Sequence, residues 1–173
     1  MKQLLIIPIS CLLLFLVLGG CTSAERVTDN RRQDFTADWT FHLGDDSAES
    51  RPDYDDTAWR ILHLPHDWAI EGEFSKDNPS GTGGGALPGG IGWYRKTFTV
   101  DKADEGKRLY IDFDGVYMNS EVFINGHSLG LRPYGYVSFS YDLTPHIKWG
   151  GKNVVAVRVD NAEQPNSRWY SGC

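Results

Sequence analysis

Residues 121–130 read EVFINGHSLG, with Asn125-Gly126 set between two short runs of strand-forming residues. That pair is the strongest short-range hairpin signal, because a type I′ turn needs φ > 0 at both central positions and Asn and Gly tolerate it. A hairpin makes its neighbouring strands antiparallel. Further along, residues 153–160 (NVVAVRVD) alternate, so Val155, Val157 and Val159 share one face while Ala156 and Arg158 take the other. Other short runs rich in β-branched and aromatic residues predict strands over 39–43, 60–64, 93–100, 108–113, 121–124, 137–141 and 153–159. No stretch keeps apolar residues at i, i+3, i+4 and i+7 for three turns. Seven or more short strands with frequent turn signals predict an all-β, antiparallel β-sandwich.

The front of the chain is of another kind. Lys2 precedes an apolar run over residues 4–18, and Leu18-Gly19-Gly20-Cys21 follows. A charged start and a short apolar run are the length of a signal peptide, and fall short of the roughly 20 residues that span a bilayer. The small residues before Cys21 resemble a bacterial lipobox, which predicts cleavage after residue 20 and a lipid on Cys21. Acyl chains contribute roughly 0.8 kcal/mol per buried methylene, so such a protein is anchored rather than spanning. Residues 21–34 are polar and charged and read as a tether, leaving 35–173 as one domain. The expected location is the membrane of a Gram-negative bacterium, periplasmic or outer. Thr22 after the cysteine is compatible with the outer one.

Of 17 basic residues only Lys2 lies in the leader, so the remainder carries 16 against 23 acidic ones, a net charge of −7. Nucleic-acid binding needs a basic footprint, and this chain lacks one. With Cys11 removed in the leader and Cys21 acylated, Cys173 is the lone thiol and no internal disulfide is expected.

Residues 80–93 (SGTGGGALPGGIGW) hold seven glycines, and Gly81 to Ala86 formally match a G-x-G-x-x-A dinucleotide fingerprint. The fingerprint requires a preceding strand, a following helix and a βαβ unit, and none is predicted there. The stretch reads as a flexible excursion between strands, or as a loop whose missing side chains let backbone approach a ligand or neighbouring domain closely. Serine-nucleophile, H-E-x-x-H and C-x-x-C motifs are absent, and the five histidines sit at no metal-ligand spacing. Asp45-Asp46 and Asp55-Asp56 read as solvated turns. Neither a cofactor nor a metal is expected.

Two stretches carry candidate binding residues. In residues 64–70 (LPHDWAI), Asp67 stands between His66 and Trp68 just after a strand; in residues 166–173 (NSRWYSGC), Arg168, Trp169 and Tyr170 adjoin. Sugars present an apolar C–H face to aromatic rings and hydroxyls to charged groups, so this equipment suits a carbohydrate. Equally, Asp67 can cap the turn that follows it, and Trp and Arg can anchor a protein interface.

Taken together, DWTFHLGD (38–45), DYDDTAWRILHLPHDW (53–68), GGALPGGIGWYRKTFTV (84–100), LYIDFDGVYMNSEVFINGHSLG (109–130), YGYVSFSYDLT (134–144) and NVVAVRVDNAEQPNSRWYSG (153–172) resemble the N-terminal domain of family-2 glycoside hydrolases, particularly bacterial β-galactosidases. The resemblance implies a jelly-roll sandwich of the galactose-binding-domain type, followed in the parent by an immunoglobulin-like domain and a TIM barrel. Family members continue after this point with GIYR and a further strand, so the chain is expected to be truncated and to miss its last sandwich strand. The family hydrolyses glycosides with retention, using two glutamates about 5–5.5 Å apart. Both belong to the barrel, so catalytic residues are expected beyond residue 173 and the 173-residue chain is expected to be inactive. An open strand edge would also leave residues 22–173 poorly soluble or marginally folded.

By the same resemblance, loops of this domain reach over the barrel mouth and hold the sugar. Arg168 leads as the hydroxyl contact, then Asp67, with Trp169 and Tyr170 lining that edge. The chain departs from intracellular β-galactosidases, which carry an acidic residue near the place of Arg168, so their metal sites are not transferred. A stand-alone carbohydrate-binding lipoprotein and a purely structural interdomain module are the alternatives.

Overall fold

A computed structural model describes residues 31–163, and from Phe35 onward these form one compact unit. Eight strands are present: β1 (Trp39–Leu43), β2 (Arg60–Leu62), β3 (Ile91–Thr99), β4 (Tyr110–Phe113), β5 (Ser120–Ile124), β6 (His127–Arg132), β7 (Phe139–Asp142) and β8 (Lys152–Asp160). A six-stranded sheet in the order β2-β1-β3-β8-β5-β6 faces a two-stranded sheet, β4-β7, and every pairing is antiparallel. Helix among the described residues is confined to short 3-10 turns. The chain is an all-β antiparallel sandwich, as its alternating patterns predict, of the jelly-roll kind that the resemblance implies.

The hairpin forms where its sequence places it. Asn125 and Gly126 take φ of 50° and 84°, and β5 folds back onto β6. β6 lies outside the seven predicted runs because Ser128, Gly130 and Arg132 dilute its strand pattern. β2 stops at Leu62 rather than residue 64, because the amide of Leu64 leaves the sheet and donates to the Thr36 carbonyl at 2.9 Å.

Register decides what each face carries. Phe41, Tyr94, Val157 and Val122 stand side by side across β1, β3, β8 and β5, an apolar row on the inner face. Val155, Val157 and Val159 are at most 3% exposed, and each contributes about 1.5–3 kcal/mol by leaving water. Opposite them pack Ile111 and the Phe113–Phe139 stack of β4-β7, with ring centroids 4.9 Å apart.

The outer face is covered in part by the loop between β1 and β2. Arg95, 1% exposed, fastens that loop. Its guanidinium pairs with Asp56 at 3.0 Å and donates to the carbonyls of Glu49, Arg51 and Tyr54. The acidic pairs therefore have separate partners. Asp45 binds Arg158, Asp46 caps a turn through Ala48, Asp55 binds Thr57, and Asp56 holds Arg95. Successive residues point apart, so neither pair acts jointly.

Candidate functional site: the rim of the sandwich

One end of the sandwich gathers the β2–β3, β4–β5 and β6–β7 loops and the exit of β8. Hydrogen bonds stitch them together: Asp160 N to Met118 O at 3.0 Å and Asn161 N to Gly90 O at 3.0 Å between backbones, and the side-chain Asn119 Nδ2 to Asp160 O at 3.1 Å.

Asp67 opens the 3-10 turn Trp68–Glu71, where Oδ1 accepts from the Ala69 amide at 2.8 Å. Short carboxylates at such a position satisfy an amide that the turn leaves over. The capping reading of Asp67 is thus realised, and it fixes the carboxylate at the rim. Trp68 is buried against Phe41, with centroids 5.7 Å apart, and its indole Nε1 has no hydrogen-bond partner among the described residues. The neighbouring His66 Nδ1 lies 2.8 Å from the Tyr94 hydroxyl, while Arg60 pairs with Glu71 at 2.8 Å. The bond from Arg60 holds the Glu71 carboxyl below the usual range for a glutamate.

The glycine-rich loop is closed on itself rather than slack. Asn78 Nδ2 donates to the carbonyls of Glu73 and Ala86, and Ser80 Oγ both donates to Leu87 O and accepts from Leu87 N. Such bonds could not be read from glycine content, which suggested flexibility. The phosphate fingerprint has no βαβ unit around it, since 3-10 turns and strand β3 follow β2. The close-approach reading applies at Gly89: a Cβ there would come within 2.6 Å of Asn161 O. The approaching backbone is that of β8's own exit.

Beside this seam stands an aromatic group that the sequence reading did not single out. Tyr117 and Tyr136 have ring centroids 5.1 Å apart, and Tyr134 and Tyr136 are 5.8 Å apart. Tyr134 and Tyr136 are 61% and 60% exposed. Gly135 between them leaves room for Tyr117, whose Cα would be 2.7 Å from any added Cβ. The signal was the i, i+2 spacing in Pro133-Tyr134-Gly135-Tyr136, where a turn presents two rings on one side.

Arg168, Trp169, Tyr170 and Cys21 lie outside the described residues. Of the predicted site residues the structure therefore places Asp67 alone, at the end where Asn161 and Ala162 leave β8. Among the described residues no group of three His, Cys, Asp or Glu side chains could hold a metal ion. No described helix is long and apolar enough to cross a membrane.

The model of the sugar binding domain of glycosyl hydrolases family 2 matches residues 86–172, and the chain belongs to that family. It is 72% identical over 156 residues to β-galactosidase BoGH2A of Bacteroides ovatus, a match covering 90% of this chain and 18% of that protein. A putative β-glucuronidase of Formosa agariphila is 50% identical, over 95% of this chain and 16% of its own length. Among solved structures, a β-glycosidase from Bacteroides vulgatus superposes with a TM-score of 0.77 at 51% identity, covering 80% of this chain and 18% of that one. A family-2 member from Bacteroides cellulosilyticus gives 0.77 at 41%, covering 81% and 19%. The chain thus spans about a fifth of the length of these relatives.

Proposed function

We propose that this chain is the sugar-contacting front part of an exported, retaining exo-glycosidase of the β-galactosidase kind, whose two catalytic glutamates belong to a barrel encoded further along the same protein. The observation that carries the reading is the rim itself. Its support is that Asp67, held by its cap, and the exposed Tyr117–Tyr134–Tyr136 group belong to loops beside the exit of β8 in a family-2 sugar binding domain, and that Arg168 follows β8 in the sequence. There Asp67 and Arg168 accept and donate hydrogen bonds to sugar hydroxyls, and aromatic rings, with Trp169 and Tyr170 among them, take its C–H face. Catalysis needs two carboxyl groups on either side of the scissile bond, and these are assigned to the barrel. The partners are a β-galactoside-like glycan, the following immunoglobulin-like and barrel domains, and a membrane through lipid on Cys21. Galactose is favoured over glucuronate because a β-galactosidase is the relative with 72% identity.

A structural role for Asp67 has one observation in its favour, the cap on Ala69 N at 2.8 Å. For Arg168, a subsite role and a packing role separate kinetically. In the longer enzyme, Arg168→Ala is expected to lower kcat/KM at least tenfold with an unchanged melting temperature. A fall in melting temperature with kcat/KM preserved would make the arginine a packing residue and overturn the subsite reading.

A further inference from the structure

The outer face of the large sheet carries a depression of about 350 Å³, well away from the apolar core. Its lining is Asp45, Ser47, Ser50, Trp93, Glu121, Phe123 and Arg158. Register explains why space exists there. His42, Trp93, Arg158 and Glu121 form one row across β1, β3, β8 and β5, and Arg95, Ala156 and Phe123 form the next. Ala156 contributes only a methyl group between two large neighbours. The turn Ser47–Ser50 walls the space from above.

The lining is chemically mixed in a particular way. Arg158 is committed: Nε and Nη2 each bind Asp45 at 2.8 Å, and Nη2 also meets Asp160 at 3.3 Å. That bond keeps the Asp45 carboxyl below the usual carboxylate range. Trp93 Nε1 donates to Asp45 Oδ1 at 3.3 Å. Ser128 donates to Glu121 Oε1 at 2.5 Å, and Ser50 donates to Ser47 O at 2.8 Å. Phe123, half-buried, lies nearly parallel on the buried Trp93, with centroids 5.7 Å apart and planes at 26°. The site therefore offers carboxylate acceptors and an apolar ring, with two carboxylates against one guanidinium.

We propose that this depression binds a neutral hexopyranoside, its hydroxyls donating to Asp45 and Glu121 and its C–H face resting on Phe123. The volume is at the lower end of small-ligand pockets, about 300–1,000 Å³, which suits one sugar ring. An anionic sugar is disfavoured, since the one cation is already shared by two carboxylates and a third would be repelled. The proposal goes beyond the rim reading and does not depend on it. The depression lies wholly on β3, β5, β8 and the loop after β1.

Titration calorimetry of the longer protein, its rim subsite first occupied by a covalent galactoside-type inhibitor, with methyl β-D-galactopyranoside and with methyl β-D-glucuronide tests it. The galactoside is expected to bind and the glucuronide to bind at least tenfold more weakly. Ser47→Tyr, which fills the space from an exposed position, is expected to abolish binding, and Glu121→Gln to weaken it several-fold. Lys107→Ala, an exposed position outside both the depression and the rim, is expected to leave it unchanged. Absence of galactoside binding overturns the proposal. So does equal affinity for the glucuronide, or binding that Ser47→Tyr leaves intact. In the longer protein, a melting temperature lowered by Ser47→Tyr with sugar binding retained would mean that another domain covers the face, which also overturns it.

Discussion

Arg95 illustrates how one side chain can hold a surface in place. It is 1% exposed, pairs with Asp56 and donates to three carbonyls of the β1–β2 loop. Removing it strands a carboxylate and several carbonyl groups with little access to water, and losing one partner of a buried pair costs about 3 kcal/mol or more. Arg95→Ala is expected to lower the melting temperature by about 10 °C, given roughly 2–4 °C per kcal/mol for a domain of this size. Arg95→Lys, which keeps the charge without the planar fork, should fall between the two. A circular-dichroism melt of Arg95→Ala within about 2 °C of the parent would show that the loop is held by something else. This role was not visible in the sequence, where Arg95 sits in GWYRKTF as an ordinary alternating residue. What buries it is a loop about 40 positions earlier, and pairings at that separation leave no local periodic trace. Asp67 was half visible. Its place before a short turn marked both a cap and a ligand, and the structure supplies the cap.

Between strands, fit rather than composition sets the geometry. The glycines of residues 80–93 looked alike in sequence, yet they do different things. Gly89 clears the backbone of Asn161, and Gly92 clears the rings of Phe41 and Trp68. Gly89→Ala is expected to push β8's exit off the loop, costing about 1–3 kcal/mol and weakening the Asn161 N to Gly90 O bond. Gly126→Ala, in the hairpin at the opposite end, is strained by its positive φ and costs about 1–2 kcal/mol. Both variants should melt earlier, but only Gly89→Ala should lower kcat/KM in the longer enzyme. An equal kinetic effect from both would mean that the rim responds to global stability and not to that seam. The strands themselves were readable wherever one face alternates, as in β8, and at Asn125-Gly126. β6 was legible only as the second arm of that hairpin, because its small polar residues, facing water on an edge, dilute a strand pattern of its own.

Across the whole molecule, the sandwich supplies a rigid frame and one end supplies contacts. The β4-β7 sheet has only two strands among the described residues, and isolated two-stranded sheets depend on packing against a partner layer. Here that layer is the apolar row of Phe41, Tyr94, Val157 and Val122. The fold class and family were carried by motifs spread from residue 38 to 172, which is why the sequence sufficed for both. Spatial convergence was not carried: Tyr117, Tyr134 and Tyr136 meet across two loops, and the outer depression draws on three strands and a turn. Under the proposed function this chain contacts sugar while the cleaving carboxylates lie elsewhere in a longer protein. Hydrolysis of 4-nitrophenyl β-D-galactopyranoside, measured side by side for the 173-residue chain and for the longer product of its reading frame, tests that most directly. The account predicts no turnover by the former and saturable turnover with retained anomeric configuration by the latter. Saturable hydrolysis by the 173-residue chain alone would contradict it.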